Sequence, residues 1–167
     1  MPPLILIGLG ANLDSPVWGS PRQTLTAALT ALEAEGVAML ARSGWYRSAP
    51  VPPSEQPWFI NAVVSVATPL DARGLLALMQ KTEIAFGRVR GERNSARVLD
   101  LDLLDYRGER IQTPELTLPH PRMHQRRFVL EPLAELAPQW RHPVLGQTAE
   151  QLLAVLDREQ PIERLSC

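Results

Sequence analysis

Two aspartates one residue apart, Asp100 and Asp102 in Leu99-Asp100-Leu101-Asp102-Leu103, are the side chains best spaced for chemistry. In a strand, successive side chains point to opposite faces. The three leucines would then face a core, and the two carboxylates would share the other face, about 6–7 Å apart at their bases. Like charges so close repel each other unless a cation lies between them. Magnesium, a hard ion that takes one or two carboxylates together with substrate phosphates, meets that demand. The plainer alternative is the solvated side of an amphipathic strand, which alternation alone does not exclude. Aspartate is a poor strand former, however, so propensity does not explain the pair.

Just upstream, Arg88, Arg90, Arg93 and Arg97 fall within one short polar segment. Guanidinium groups stay charged and bind phosphate oxygens in pairs. Lys81 is the only lysine, so arginine abundance is read as codon preference and only the clustering carries weight. Arginines beside a carboxylate pair are what phosphoryl transfer needs, because cations stabilise the charge that spreads in the transition state. A solvated basic loop is the alternative. The P-loop signature is absent, as is the protein-kinase set. Gly8-Leu9-Gly10-Ala11-Asn12 does not complete a dinucleotide fingerprint and reads as a turn with close backbone approach.

Phe59 and Asn61 lie one strand period apart, and Phe128 follows later. Aromatic rings can sandwich a flat heterocycle while an amide matches its polar edge. Core packing is the ordinary fate of any single aromatic, but an amide inside a valine-rich strand needs partners. His120 and His124 are spaced i, i+4, yet no metalloprotease motif or cysteine ligand accompanies them. His120 is better read as a hydrogen-bond donor beside the phosphates than as a zinc ligand, with a bare loop histidine as the alternative.

These groups require a frame. Leu4 to Leu9 has the length of a buried strand. Ser20-Pro21-Arg22-Gln23 has the pattern of a helix start. Strands are expected over 37–47, 59–67 and 99–106, with a helix from Asp71 to Gly87 between the last two. Further helices are expected over 125–136 and 149–156, and the prolines of 49–57 demand an extended loop. The order is that of an α/β (α+β) fold with a ferredoxin-like βαββαβ core sheet and helices packed on it. A chain of 167 residues that is 45% hydrophobic suits one domain, 1–167. The formal net charge of -1 argues against a nucleic-acid or membrane polyelectrolyte. A lone cysteine, Cys167, and an N-terminus without a basic leader point to the cytoplasm.

On these motifs the chain resembles the 6-hydroxymethyl-7,8-dihydropterin pyrophosphokinase family from Leu6 to about Pro138. The most specific piece is Arg97-Val98-Leu99-Asp100-Leu101-Asp102-Leu103. Gly10-Ala11-Asn12-Leu13, Tyr46-Arg47-Ser48-Ala49-Pro50, Gln56-Pro57-Trp58-Phe59-Ile60-Asn61-Ala62, Glu83 with Gly87-Arg88-Val89-Arg90, Leu118-Pro119-His120-Pro121 and Arg126-Arg127-Phe128-Val129-Leu130-Glu131-Pro132-Leu133 support it. The resemblance implies a ferredoxin-like fold and transfer of pyrophosphate from ATP to the pterin alcohol, releasing AMP, in folate biosynthesis. It implies that Asp100 and Asp102 hold two Mg2+ ions. It implies that Phe59 and Phe128 sandwich the pterin, with Asn61 hydrogen-bonding its edge and backbone groups of Ser48, Ala49 and Val51 binding it too. Arg88, Arg90, Arg97, His120 and Arg126 would contact ATP phosphates, with Arg88 and Arg97 among the catalytic residues. Leu76, Gln80, Glu83, Leu103, Leu116 and Thr117 would line the adenosine site. The chain departs from many members at Asn94 (commonly tryptophan), Ala96 (commonly proline) and Pro121 (often tyrosine). Nothing in the sequence demands a partner chain, so a monomer is expected. Two other readings stay open on residues alone: a different metal-dependent phospho- or nucleotidyltransferase, and a non-catalytic module that binds a ligand or RNA.

Overall fold

The structure is a computed structural model that describes residues 3–87, 98–156 and 159–166. Strand β1 (Ile5–Ala11) is buried along its whole length, as befits the middle of a sheet covered on both faces. Helix α1 (Pro21–Ala34) starts as its sequence requires: Ser20 accepts from the Gln23 amide, and the Gln23 side chain returns a bond to the Ser20 amide. Helix α2 (Ala72–Ala85) is capped by Asp71, which accepts from the Gly74 amide at 2.8 Å. Gly87, with φ of +105°, lets the chain leave that helix in the left-handed region.

The strand expected over 37–47 is two strands, β2 (Ala38–Arg42) and β3 (Tyr46–Ser48). Ser43 divides them. Its hydroxyl accepts from the Val63 amide at 3.0 Å and donates to the Gly44 carbonyl at 2.8 Å, taking the place of a backbone ladder bond. Both strands pair with β4 (Phe59–Ala67). The main sheet runs β5-β1-β4-β3-β8, with β2 also on β4 and every pairing antiparallel; β5 is Asp100–Tyr106 and β8 is Ile162–Arg164. With β2 and β3 counted as one broken strand, this is the ferredoxin-like order expected from the sequence.

Helices α1 and α2 pack one face through a cluster that includes Ile7, Leu9, Leu25, Leu75, Met79, Leu101 and Leu103. Helices α3 (Arg127–Leu136) and α4 (Ala149–Ala154) pack the other through Leu6, Val63, Leu104, Leu130 and Leu133. β5 carries a bulge: Ile7 pairs with Leu103 and Leu6 with Asp105, so Leu104 is the extra residue and turns into the second cluster.

Several expectations need correcting. Gly8 and Gly10 lie inside β1 rather than in a turn, because pairing with β4 and β5 carries the strand on to Ala11. α3 begins at Arg127, after a single 3-10 turn at Met123–Gln125, and α4 ends at Ala154. The hairpin β6 (Ile111–Gln112) and β7 (Thr117–Leu118), and the tail strand β8, had no visible pattern at two or three residues each. No helix among the described residues is long and apolar enough to cross a membrane.

Candidate active site

The site is built on the sheet face that turns toward α3. Along β1 the apolar side chains Ile5, Ile7, Leu9 and Ala11 belong to the α1/α2 cluster, so Leu6, Gly8 and Gly10 face the other way. Across the strands, Gly10 pairs with Asp100 on one side and Asn61 on the other, while Gly8 pairs with Asp102 and Val63. No β1 side chain rises between the carboxylates and Asn61. The floor of the resulting cleft is backbone, and its volume is about 550 Å³, within the range of small-molecule sites.

One wall is the end of β3 and the proline-rich segment after it. The Ser48 hydroxyl donates to Asn61 Oδ1, fixing the amide within a buried pair. Asn12, buried at the end of β1, donates to Gln56 Oε1 and the Pro57 carbonyl, both at 3.1 Å, and ties down the far end of that segment.

The opposite wall is the stretch from His120 to Val129. β5 is an edge strand, so its outer backbone groups need partners. The Leu104 carbonyl accepts from the His120 amide at 2.9 Å, and the Leu101 amide donates to buried Glu83 Oε2 at 2.9 Å. The first bond hangs His120 beside the carboxylates. Its Nδ1 accepts from the Arg122 amide at 3.1 Å, so a neutral ring carries its proton on Nε2, which lies 3.9 Å from Asp102 Oδ1. Burial, reinforced by the charges of Arg126 and Arg122, pushes the His120 pKa down to about 4 and keeps the ring neutral near pH 7. Arg126 Nη1 is 3.7 Å from Asp102 Oδ2, and the same guanidinium lies 5.4 Å from the centre of the Phe128 ring. Two acids, two arginines and a neutral donor thus surround a cleft with aromatic and amide groups at its other end. That arrangement accommodates an anionic ligand beside a flat polar one.

A sequence model of 7,8-dihydro-6-hydroxymethylpterin-pyrophosphokinase (HPPK) matches residues 6–138. The chain belongs to the HPPK family. The 2-amino-4-hydroxy-6-hydroxymethyldihydropteridine pyrophosphokinase of Pseudomonas aeruginosa is 40% identical over 162 residues, covering 96% of each chain. The enzyme of that name from Methylorubrum extorquens is 40% identical over 152 residues, 90% of this chain and 92% of its own. Among solved structures, a Plasmodium falciparum HPPK-DHPS with pterin and p-hydroxybenzoate has a TM-score of 0.72 at 14% identity and shares the fold. The match covers 92% of this chain and 43% of that longer one.

The HPPK residues expected from the sequence divide into three groups. Ser48, Ala49, Val51, Phe59, Asn61, Asp100, Asp102, His120, Arg126 and Phe128 all line the one cleft. Leu76, Gln80, Glu83, Leu103, Leu116 and Thr117 do not line it. Leu103 and Leu116 are buried in the α1/α2 cluster, Leu76 packs against that cluster, and Glu83 holds the β5 edge. Leu103 follows strand alternation away from the carboxylate face, which is why it points into the core. Arg88, Arg90, Arg93 and Arg97, with Asn94 and Ala96, lie outside the described residues.

His120 and His124 do not converge: His124 packs edge-on against His142 with ring centres 5.8 Å apart, away from the cleft. Gly8, Gly10, Pro121 and Arg122 line the cleft without having been assigned to it. The glycines could have been found by asking which β1 residues stand opposite the aspartates. Arg122 left no such signal.

The donor set fits magnesium. Asp100 and Asp102 are half-buried carboxylates on one strand face. Among the described residues no group of three or more histidine, cysteine or acidic side chains could hold a metal by itself. An ion bound by this pair would complete its shell with substrate phosphates and water, as magnesium characteristically does.

Proposed function

We propose that this cleft transfers pyrophosphate from ATP to 6-hydroxymethyl-7,8-dihydropterin and releases AMP, the family's step toward folate. The observation that carries the reading is the bare backbone floor of Gly8 and Gly10, with Asp100 and Asp102 on one side and Asn61 on the other. It gives a flat ring and a polyphosphate adjacent places on one surface. Phe59 and Phe128 supply faces for the ring, and Asn61, oriented by Ser48, supplies an edge partner. Arg126, and the proton on His120 Nε2, would hold phosphate oxygens, a reading supported by their approach to Asp102.

Asp100 and Asp102 would hold two magnesium ions, which neutralise phosphate charge and acidify a nearby hydroxyl. The pterin hydroxyl oxygen forms a bond to the β-phosphorus of ATP. The bond from that phosphorus to the α–β bridging oxygen breaks, AMP leaves with the bridging oxygen, and the hydroxyl proton passes to solvent. Arg126 offsets charge on the oxygens as the bond changes. Segment 49–57 would close over the substrates and exclude water. Arg88, Arg90 and Arg97 would complete the phosphate contacts. Leu76, Gln80, Glu83, Leu103, Leu116 and Thr117 would border the adenosine. We read residues 1–167 as one domain that works as a monomer in the cytoplasm. Both apolar clusters pack on a single sheet, and the one cysteine needs no oxidising compartment.

The test is product identity. With ATP, magnesium and the pterin alcohol, the purified protein should form one AMP per pterin consumed, and none once the metal is chelated. ADP or pyrophosphate as product would sink the reaction assigned here.

A further inference from the structure

Helix α3 begins with an unmet need. The first amide groups of a helix have no partner inside it, and a short polar side chain at the cap ordinarily accepts from one of them. In α3 the cap position is Arg126, whose side chain makes no capping bond. It points into the cleft instead, 3.7 Å from Asp102. The missing acceptor comes from the far end of the chain: Gln160 Oε1 accepts from the Arg127 amide at 2.9 Å. The same carboxamide donates through Nε2 to the Gln125 carbonyl at 2.9 Å. Its two bonds straddle Arg126. The Arg127 guanidinium adds a bond to the Gln160 carbonyl at 3.3 Å.

One residue later the tail crosses to the other wall. The Pro161 carbonyl accepts from the Ala49 amide at 3.0 Å, and Ile162 then pairs with Ser48 as β8 begins. Beyond that, Glu163 meets Arg47 at 2.9 Å. A few consecutive residues therefore touch both sides of the cleft, next to Arg126 and Phe128 on one side and at Ser48 and Ala49 on the other. The family match ends at residue 138 and does not reach this segment.

We propose that Gln160 is a positioning residue for the active site: by capping α3 from the tail, it fixes Arg126 in place across the cleft from the wall that its neighbour Pro161 holds. The inference rests on the reading that Arg126 contacts the phosphates of ATP. The arrangement resolves a conflict at one position. An arginine side chain carries only donors and cannot accept from a helix amide, so with Arg126 given to the cleft the cap is supplied by another part of the chain.

The experiment is a double-mutant cycle on Gln160 and Arg126 at saturating pterin. Gln160→Met keeps the length of the side chain and removes both bonds. It should lower kcat/KM for ATP about 5- to 10-fold by loosening the arginine. In an Arg126→Ala background, which keeps the backbone but lacks the guanidinium, the same change should lower it by less than about 2-fold. Gln160→Glu retains the acceptor for the Arg127 amide and should fall less than Gln160→Met. Should circular dichroism show Gln160→Met unfolded, the cycle is run with Gln160→Glu. Equal losses in both backgrounds, or no loss in either, overturn the inference and leave the phosphate site standing. Wild-type ATP kinetics in Arg126→Ala alone overturn the phosphate assignment itself, and this inference with it.

Discussion

At the scale of single residues, the site depends on which groups are charged. His120 is kept neutral by burial and by two arginines, with its pKa at about 4. It can therefore donate to an anion without adding a charge of its own. Asp102 sits opposite, within 4 Å of both His120 and Arg126, so the protein's own donors meet it where the proposed metal and substrate would. Replacing it with asparagine keeps the size and removes the negative charge. Asp102→Asn should reduce AMP release about 100-fold or more while the melting temperature stays near wild type, as expected for an electrostatic group in a site. Near-normal AMP release would remove the metal from the scheme. The pair was legible in the sequence because alternation along a strand has a fixed period of two. His120 and Arg126 were expected at the phosphates, but their approach to Asp102 was not legible, because both come from a later segment that is brought alongside by the bond between His120 and Leu104.

At the scale of elements, β1 matters most for what it lacks. Gly10 faces Asn61, and a methyl group added there would meet Asn61 Nδ2 at 3.2 Å. The amide would have to shift, and with it the edge proposed to recognise the pterin. Gly10→Ala should raise the KM for pterin about 10-fold, equivalent to about 1.4 kcal/mol, with a smaller effect on the KM for ATP. Equal effects on the two would mean that the floor is not divided as described. Gly8 is roomier, since an added Cβ would meet Leu104 at 3.4 Å. The element order was legible because long apolar strands and capped helices announce themselves, as at Leu4 to Leu9 and at Ser20. The break at Ser43 was not, since a serine between two strand-like runs does not reveal that its hydroxyl will replace a ladder bond. Gly8 and Gly10 were misread as a turn because glycine is the commonest turn residue, and only pairing on both sides holds them extended.

At the scale of the whole molecule, Glu135 joins three distant parts. Its carboxylate, on α3, accepts from the Gly44 amide at 2.6 Å, the Tyr46 hydroxyl at 2.6 Å and Arg164 Nε at 2.8 Å. The helix, the break between β2 and β3, and the tail strand are thereby held to one another. The Arg164 guanidinium is the largest influence lowering the Glu135 pKa, to about 2, from an ordinary value of 4.5. A carboxyl whose folded pKa is depressed contributes stability that is present above 4.5 and lost as pH falls through about 2. The melting temperature of wild type should therefore drop more steeply between pH 4.5 and 2 than that of Glu135→Gln. Parallel curves would show that the carboxylate is not coupled to folding. None of this network could be read from the chain, because its members are separated by about ninety residues in one direction and about thirty in the other.

The glycine floor also bears on how this enzyme could be inhibited. A compound whose deepest part rests on the backbone of Gly8 and Gly10 touches no side chain there that the organism could trade away. A larger residue placed at either position to evict the compound would also crowd the proposed ligand, so resistance through the floor would cost the enzyme part of its own substrate binding.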